Sequence, residues 1–410
     1  MCFAKQTKQT MAEKAALVLV LVLCVPHVAI GQDGGAFVGL VPNGSLVINP
    51  KDGQDVLVDG VALKSLVERL GAVERAANQQ KEACQTVADT STITGLGGQA
   101  KWWGGVRAGN GKIYSVPHNA ESVLIIDPIT NTADSTSIMT GSTECCKWYG
   151  GAMAGNGKIY GIPHASESVL IVDPTTKTAD VSAMVGLTGP NKWVGGVLAP
   201  NGKIFGIPYH SESVLIIDPL TNTTDTAAIA GLRGNDKWYT GVLAHNGNIY
   251  GIPFASASVL IVDPVANTSD TTTINIAVSG LWFGGVLARN GKIYGIPARR
   301  TSSVLIIDPA TNSADTSAIT VSDMGSRGWN GGVLAGDGKI YAIPHDTNTV
   351  PVLIIDPVTN TSDTQAMITA GPIETAGAWS RGVLASNGKI YGIPWHASSV
   401  LIIKRDCEGL

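Results

Sequence analysis

Charge is scarce in this chain. Asp, Glu, Lys and Arg make up only 15% of it, and a net charge of −4 lacks the basic excess that a nucleic-acid-binding face requires. Beyond residue 31 there is no long apolar run, so the body of the chain holds no candidate transmembrane helix. Three common enzyme signatures are missing. There is no H-E-x-x-H, no G-x-S-x-G elbow and no phosphate-binding loop, since no repeated Gly-Lys is followed by Ser or Thr. Cysteine is limited to six residues, none in a Cys-x-x-Cys pair. A sustained 3.6-residue stripe is also absent from the main body. Gly and Pro recur there at fixed places among β-branched residues, which excludes a helical architecture.

What the chain has in abundance is repetition. The phrase NGKIYGIPHASESVLIVDP (156–174) is written seven times with small edits, each near a tryptophan: Trp103, Trp148, Trp193, Trp238, Trp282, Trp329 and Trp379. A period of roughly 44–50 residues is that of a four-stranded propeller blade. Each unit predicts four strands: GGVLA, KIYGIP, the apolar SVLIID, and a polar strand of the ADTSAI type. An Asn-Gly or Asp-Gly pair after the first strand predicts a tight hairpin with both residues at positive φ. Asp-Pro after the third predicts a type I turn.

The seventh unit stops after three strands, at Ile403, while a lone fourth-strand phrase, ADTSTITG (88–95), precedes the first unit. The expected fold is therefore all-β, a seven-bladed β-propeller over residues 84–410 closed by a split blade of three strands plus one. Setting Ala88 against Ala133 and Ile403 against Ile126 brings Cys84 and Cys407 to neighbouring positions of one turn, and a Cys84–Cys407 disulfide is expected. Cys145 and Cys146 are left to pair with each other or between molecules; a redox centre is disfavoured.

Residues 1–31 have the pattern of a cleaved signal peptide, with a retained membrane anchor as the alternative. Lys5, Lys8 and Lys14 precede the run AALVLVLVLCV (15–25), and small Ala29 and Gly31 precede Gln32. The protein is thus expected outside the cell, where Asn43, Asn222, Asn267 and Asn360 are glycosylation candidates. Residues 32–59 are turn-rich and predict one or two short hairpins. In 60–83, Leu63, Leu66, Leu70, Val73 and Ala77 form a heptad seam, predicting a helix that either joins copies into a homo-oligomer or lies against the propeller.

The stretch GVLAPNGKIFGIP…SVLIIDPLTNTTDTAAI (196–229) resembles YVTN-type and kelch-like propeller repeats. The resemblance implies the propeller fold over about residues 88–404. It does not fix an activity, because such propellers include lyases, lactonases, surface-layer proteins and lectins.

Propeller loops divide by face. The NGK and DPxTNT turns share the bottom and are nearly uniform; the second-to-third strand loops share the top and are edited. Those edits gather His118, His164, His210, His345 and His396 around one rim, with Tyr209, Phe254, Arg299, Arg300 and Trp395 and the carboxylates Glu121, Glu167, Glu212 and Asp346. Imidazoles and carboxylates together can ligate a divalent metal or act as acid and base. A resemblance to the virginiamycin B lyases, propellers that use top-face histidine and metal, implies the same. The seven tryptophans admit a sugar-stacking reading, but packing between blades is favoured. The expected function is a recognition module that binds a glycan or protein through its top face. The alternative is a lyase or hydrolase with His118, His164 or His345 as base or metal ligand.

Overall fold

The computed structural model describes residues 85–406, apart from 277–279, 300, 322–327, 346–350, 367 and 371–376, together with four short segments at 37–40, 46–49, 57–58 and 61–62. In the repeat beginning at Trp148, the strands Trp148–Met153, Ile159–Pro163, Leu170–Asp173 and Thr178–Asp180 pair in that order as an antiparallel sheet. Calling this blade II, the first strands of the others are Trp102–Arg107 (I), Trp193–Leu198 (III), Trp238–Leu243 (IV), Trp282–Leu287 (V), Trp329–Leu334 (VI) and Trp379–Leu384 (VII). These first strands neighbour one another in sequence, and VII returns to I, so they form the innermost ring. The fold is an all-β, seven-bladed propeller.

The ring closes as a split blade. Gln85–Asp89 runs antiparallel to Leu401–Asp406, with Ile403 opposite Ala88, just as Ile126 lies opposite Ala133 in blade I. The strand is shorter than ADTSTITG suggested because Asp89 ends it, its carboxylate accepting the Ser91 and Thr92 amides at 2.7 and 3.2 Å. Asp134 does the same in blade I with Thr136 and Ser137. The expected ADTSAI strand is therefore three residues followed by an Asx turn. A further strand, Ile368–Ala370, lies parallel along Gln85–Asp89 and gives this blade five strands, covering an edge that would otherwise be open.

The turns on the bottom face also differ in detail. At Asn110-Gly111 only the glycine has positive φ, at 81°. The Gly111 amide donates to Ala108 and the Ala108 amide to Lys112, a type I turn with a glycine bulge rather than the expected two-residue hairpin. In DPxTN, Asp127 accepts the Ile129 and Thr130 amides, and Asn131 takes φ 52°. Asn222, Asn267 and Asn360 occupy the same left-handed position. Asparagine tolerates that conformation, so each of these glycosylation candidates also has a backbone reason to be asparagine. Asn43 lies outside the described residues. Lys112–Asp127 and Lys158–Asp173, at 3.0 and 3.7 Å, are exposed ion pairs that contribute little.

The core is layered between blades. Tyr160, Ile162 and Ile171 of blade II pack against Trp193, Ile204 and Leu215 of blade III, and equivalent layers separate every adjacent pair around the ring. The repeat tryptophans fill these layers, and each donates its indole N–H to a loop carbonyl, as Trp148 does to Ser168 at 2.8 Å. In blade I this role belongs to Trp102, which donates to Ser122 at 2.7 Å. Trp103, assigned to the series from sequence, points elsewhere.

Each innermost strand bulges after its tryptophan; in blade II pairing skips from Trp148 to Gly151. The third residue of this strand is a left-handed glycine in five blades, as at Gly150 (φ 76°). The fourth is always glycine, because the blades leave no room for a Cβ. One on Gly151 would meet the Tyr160 carbonyl oxygen at 2.9 Å.

Nearer the N-terminus, Phe37–Leu40 pairs with Leu46–Asn49, and Leu57–Val58 with Val61–Ala62, both antiparallel. The second hairpin reaches two residues into the segment expected to be helical. The rest of that helix and the signal segment lie outside the described residues, as do Cys84 and Cys407, so their disulfide is a proposal. A Cys84–Cys407 peptide in a non-reducing map is the expected outcome, and Cys84 linked to any other cysteine would exclude it. Gly151→Ala is expected to cost about 1–3 kcal/mol of unfolding free energy through overpacking. Gly155→Ala, at an open site with nothing within 4 Å, should shift the urea midpoint far less.

Candidate functional site

Because of the bulge, the second residue of each innermost strand points into the top centre of the ring. The seven residues there are Trp103, Tyr149, Val194, Tyr239, Phe283, Asn330 and Ser380. Most of them join Phe254 and Trp395 from the top loops in an aromatic cluster separate from the inter-blade layers. Above it opens a cup of about 340 Å3, lined among others by Trp103, Tyr149, His164, Asn191, Tyr209, His210, Asp236, Phe254, Arg299, His345 and Trp395.

Seven of the rim residues expected from sequence therefore come together here: His164, Tyr209, His210, Phe254, Arg299, His345 and Trp395. His118 is instead buried beneath the rim, its ring 4.6 Å from Tyr149 and 4.5 Å from Trp395. His396 sits beside Trp395 without lining the cup, and Glu121, Glu167 and Glu212 face solvent away from it. Arg300 and Asp346 lie outside the described residues. Sequence reasoning missed Tyr149, Asn191, Val194, Asp236, Tyr239 and Phe283, and placed Trp103 in the wrong column. The signal was present, since the residue after the repeat tryptophan changes from blade to blade while the tryptophan before it and the glycine two residues after it do not.

The histidines divide into two kinds. His118, His164 and His345 each engage a backbone carbonyl through Nδ1, those of Ala100, Trp193 and Trp379, at 3.3, 3.3 and 2.9 Å. Burial pulls the His118 imidazole down to about 3, helped by His164, and pulls His164 down to about 4. Both are neutral packing groups at physiological pH. His210 is different: its Nε2 lies 2.9 Å from Asp236 Oδ1 at a partly open position, and its ring stacks on Tyr209 at 4.8 Å. Partial burial works against ionisation of Asp236, but bonds from Tyr209 and His210, with the charge of Arg299, outweigh it and hold the carboxyl below its ordinary value. Exposed Arg299 covers the apolar wall, 5.4 and 5.7 Å from the Phe254 and Phe283 ring centres. The cup thus has an aromatic floor and one polar arc on blades III–V.

No three His, Cys, Asp or Glu side chains among the described residues are grouped so as to hold a metal ion. Cys145 and Cys146 are free thiols. Burial and the neighbouring Cys145 push the Cys146 thiol up to about 11, which suppresses its thiolate.

Four buried lysines set the rim, and nothing in their residue type announced it. Lys101, Lys147, Lys192 and Lys237 each precede a first strand. The Lys192 ammonium donates to the carbonyls of His164, Ser166 and Gly189 at 2.5–3.1 Å, tying the top loop of blade II to the entry of blade III. Lys237 binds Tyr209, Ser211 and Gly234 in the same way. Burial pulls both lysines down to about 8.

No protein-family model and no curated protein matches the chain. Solved structures do match. Virginiamycin B lyase from Staphylococcus aureus, as an inactive variant with quinupristin, gives a TM-score of 0.61 at 10% identity over 78% of this chain and 99% of its own. Kuenenia stuttgartiensis hydrazine synthase gives 0.57 at 14% identity, over 75% and 96%. An extracellular domain assigned to a hybrid two component system of B. thetaiotaomicron gives 0.53 at 10% identity, over 75% of this chain and 40% of its own. At these identities the shared property is the propeller fold.

Two outcomes follow from the buried groups. His118 and His164 stay neutral in the folded chain, while unfolding restores their ordinary affinity near 6.5. Acidification from pH 7 to 4 therefore loads protons onto the unfolded chain first and lowers stability. The urea midpoint should fall over that window, and less steeply in a His118→Gln, His164→Gln double variant. Lys192→Ala strands the acceptors of a buried cation and is expected to cost about 2–4 kcal/mol, measured by urea unfolding.

Proposed function

We propose that this protein is an extracellular recognition propeller that binds a glycan in its top-face cup. The supporting observation is the pairing of a concave aromatic floor with a single polar arc, Asn191, Tyr209, His210, Asp236 and Arg299. A sugar ring presents an apolar face to stack and hydroxyls that need donors and acceptors, and this arc supplies both. The volume lies at the lower end of the range of about 300–1,000 Å3 usual for small-ligand sites. An extracellular place accords with the signal-like residues 1–31 and with the extracellular domain among the structural neighbours. Among the described residues no helix is long and apolar enough to cross a membrane.

One observation favours a second reading, a small-molecule lyase or hydrolase. The His210–Asp236 pair, open to the cup at 2.9 Å, has the geometry of an oriented general base. The other candidate bases, His118, His164 and His345, are buried and each engages a backbone carbonyl through Nδ1, so His210 replaces them in that reading.

A glycan array followed by titration of tryptophan fluorescence separates the two, because Trp103 and Trp395 line the cup. Saturable binding weakened about tenfold or more by Tyr209→Ala and by Asp236→Asn, with the sugar recovered unchanged, is expected. No hit on the array, or turnover abolished by His210→Ala, would overturn it.

A further inference from the structure

Below the aromatic floor, a second cavity of about 180 Å3 runs along the propeller axis. Its walls are ten glycines of the innermost strands, Thr240 and Arg381. Arg381 stands at the third position of blade VII, where five other blades have glycine, and takes the same left-handed backbone, φ 51°. A residue with a Cβ is held there against its preference.

The side chain crosses the channel. Its Cγ lies 3.0 Å from where a Cβ on Gly331 of blade VI would stand, and its Nη1 3.5 Å from the equivalent point on Gly195 of blade III. Its Nε and Nη2 are sealed from solvent and have no hydrogen-bond partner among the described residues. Among the described residues no carboxylate acts on it: burial works against its charge, and the one ionisable side chain that bears on it is the phenol of Tyr239, which burial keeps neutral. The other unpartnered buried side-chain polar atoms among the described residues, Trp103 Nε1 and both amide atoms of Asn330, belong to the innermost strands as well but not to the channel wall. Four of the five atoms are donors. Arg381 as a whole is half-buried, so part of its guanidinium reaches the channel even though Nε and Nη2 are sealed from solvent. A cation held this way without a counter-charge is costly, and a guanidinium does not discharge itself by losing a proton.

We propose that the axial channel is a binding site for a small monovalent anion of the halide type, held by the Arg381 guanidinium. The anion supplies the missing charge and accepts the hydrogen bonds that Arg381 Nε and Nη2 leave unmade. The site is separate from the top-face cup, and its test does not depend on what the cup binds.

The probe is bromide. In crystals grown with sodium bromide, an anomalous peak in the channel within about 3.5 Å of the guanidinium nitrogens is expected. In solution, the thermal midpoint of the wild type should rise as bromide replaces gluconate at constant ionic strength, and Arg381→Gly should abolish that rise. In gluconate alone, Arg381→Gly should unfold at a higher temperature than the wild type, because it removes an uncompensated buried charge and restores the glycine of the other blades. Arg381→Met, which keeps the bulk without the charge, should likewise lose the bromide response. A water or an empty channel at that position in bromide-grown crystals would overturn the proposal. So would a bromide response equal in the wild type and Arg381→Met.

Discussion

Seven innermost strands approach the propeller axis so closely that a single methyl group at their fourth position has nowhere to go. A Cβ on Gly285 would fall 2.6 Å from Ile252 of the neighbouring blade, and one on Gly241 2.7 Å from Ile207. Everything above that constriction follows from it. The strand bulges immediately before the glycine, the third residue turns left-handed in every blade but IV, and the second residue is aimed at the top centre instead of into an inter-blade layer. The Gly-Gly of most blades is thus scaffold, and the residue before it, with the top loops, is where the chain differs from blade to blade.

The sequence uses that freedom unevenly. Trp103 and Trp395 build one side of the cup from blades I and VII, while Tyr209, His210, Asp236 and Arg299 place the polar groups on blades III–V. A ring with one polar arc presents one oriented site, whereas seven equal sites would require the same side chain at the same position in every blade. The repeat tryptophans do recur in every blade, and they are buried between sheets with their N–H groups on loop carbonyls. Their regularity is the regularity of packing, and the site is found where regularity fails.

That contrast also explains what could be read in advance. Blade number, the closing strand and even its register, Ile403 opposite Ala88, were legible because they rest on local chemistry that repeats: strand, turn, strand. The Trp102-Trp103 doublet was not, since two adjacent identical residues satisfy the same period and only the bulge decides which one enters the layer. In sequence His118 and His164 directly follow the proline while His210 and His396 stand one residue later, which predicts different directions but not their surroundings. Burial separates them, leaving His118 and His164 neutral against carbonyls and His210 beside a carboxylate. Arg381 was hidden for a simpler reason: arginine at a loop-proximal position usually means solvent, and only the closed ring turns that position into the axis.

The buried lysines connect scaffold and site. A chain so poor in charge still places an ammonium at the start of blades I–IV, whereas blades V–VII have Leu281, Gly328 and Ala378 there. Each of Lys101, Lys192 and Lys237 offers three donors to three carbonyls that belong partly to its own entry loop and partly to the top loop of the preceding blade. Their ties therefore hold the loops carrying Trp395, His164, Asn191, Tyr209 and Asp236 in fixed relation. Loops ordered in this way would lose little further entropy to any ligand of the cup, which is the preorganisation that the proposed recognition role requires. The cost of burying those cations is met mainly by backbone carbonyls, helped by the following tryptophan, whose ring centre lies 5.8–5.9 Å from each ammonium, and for Lys192 and Lys237 by nearby carboxylates.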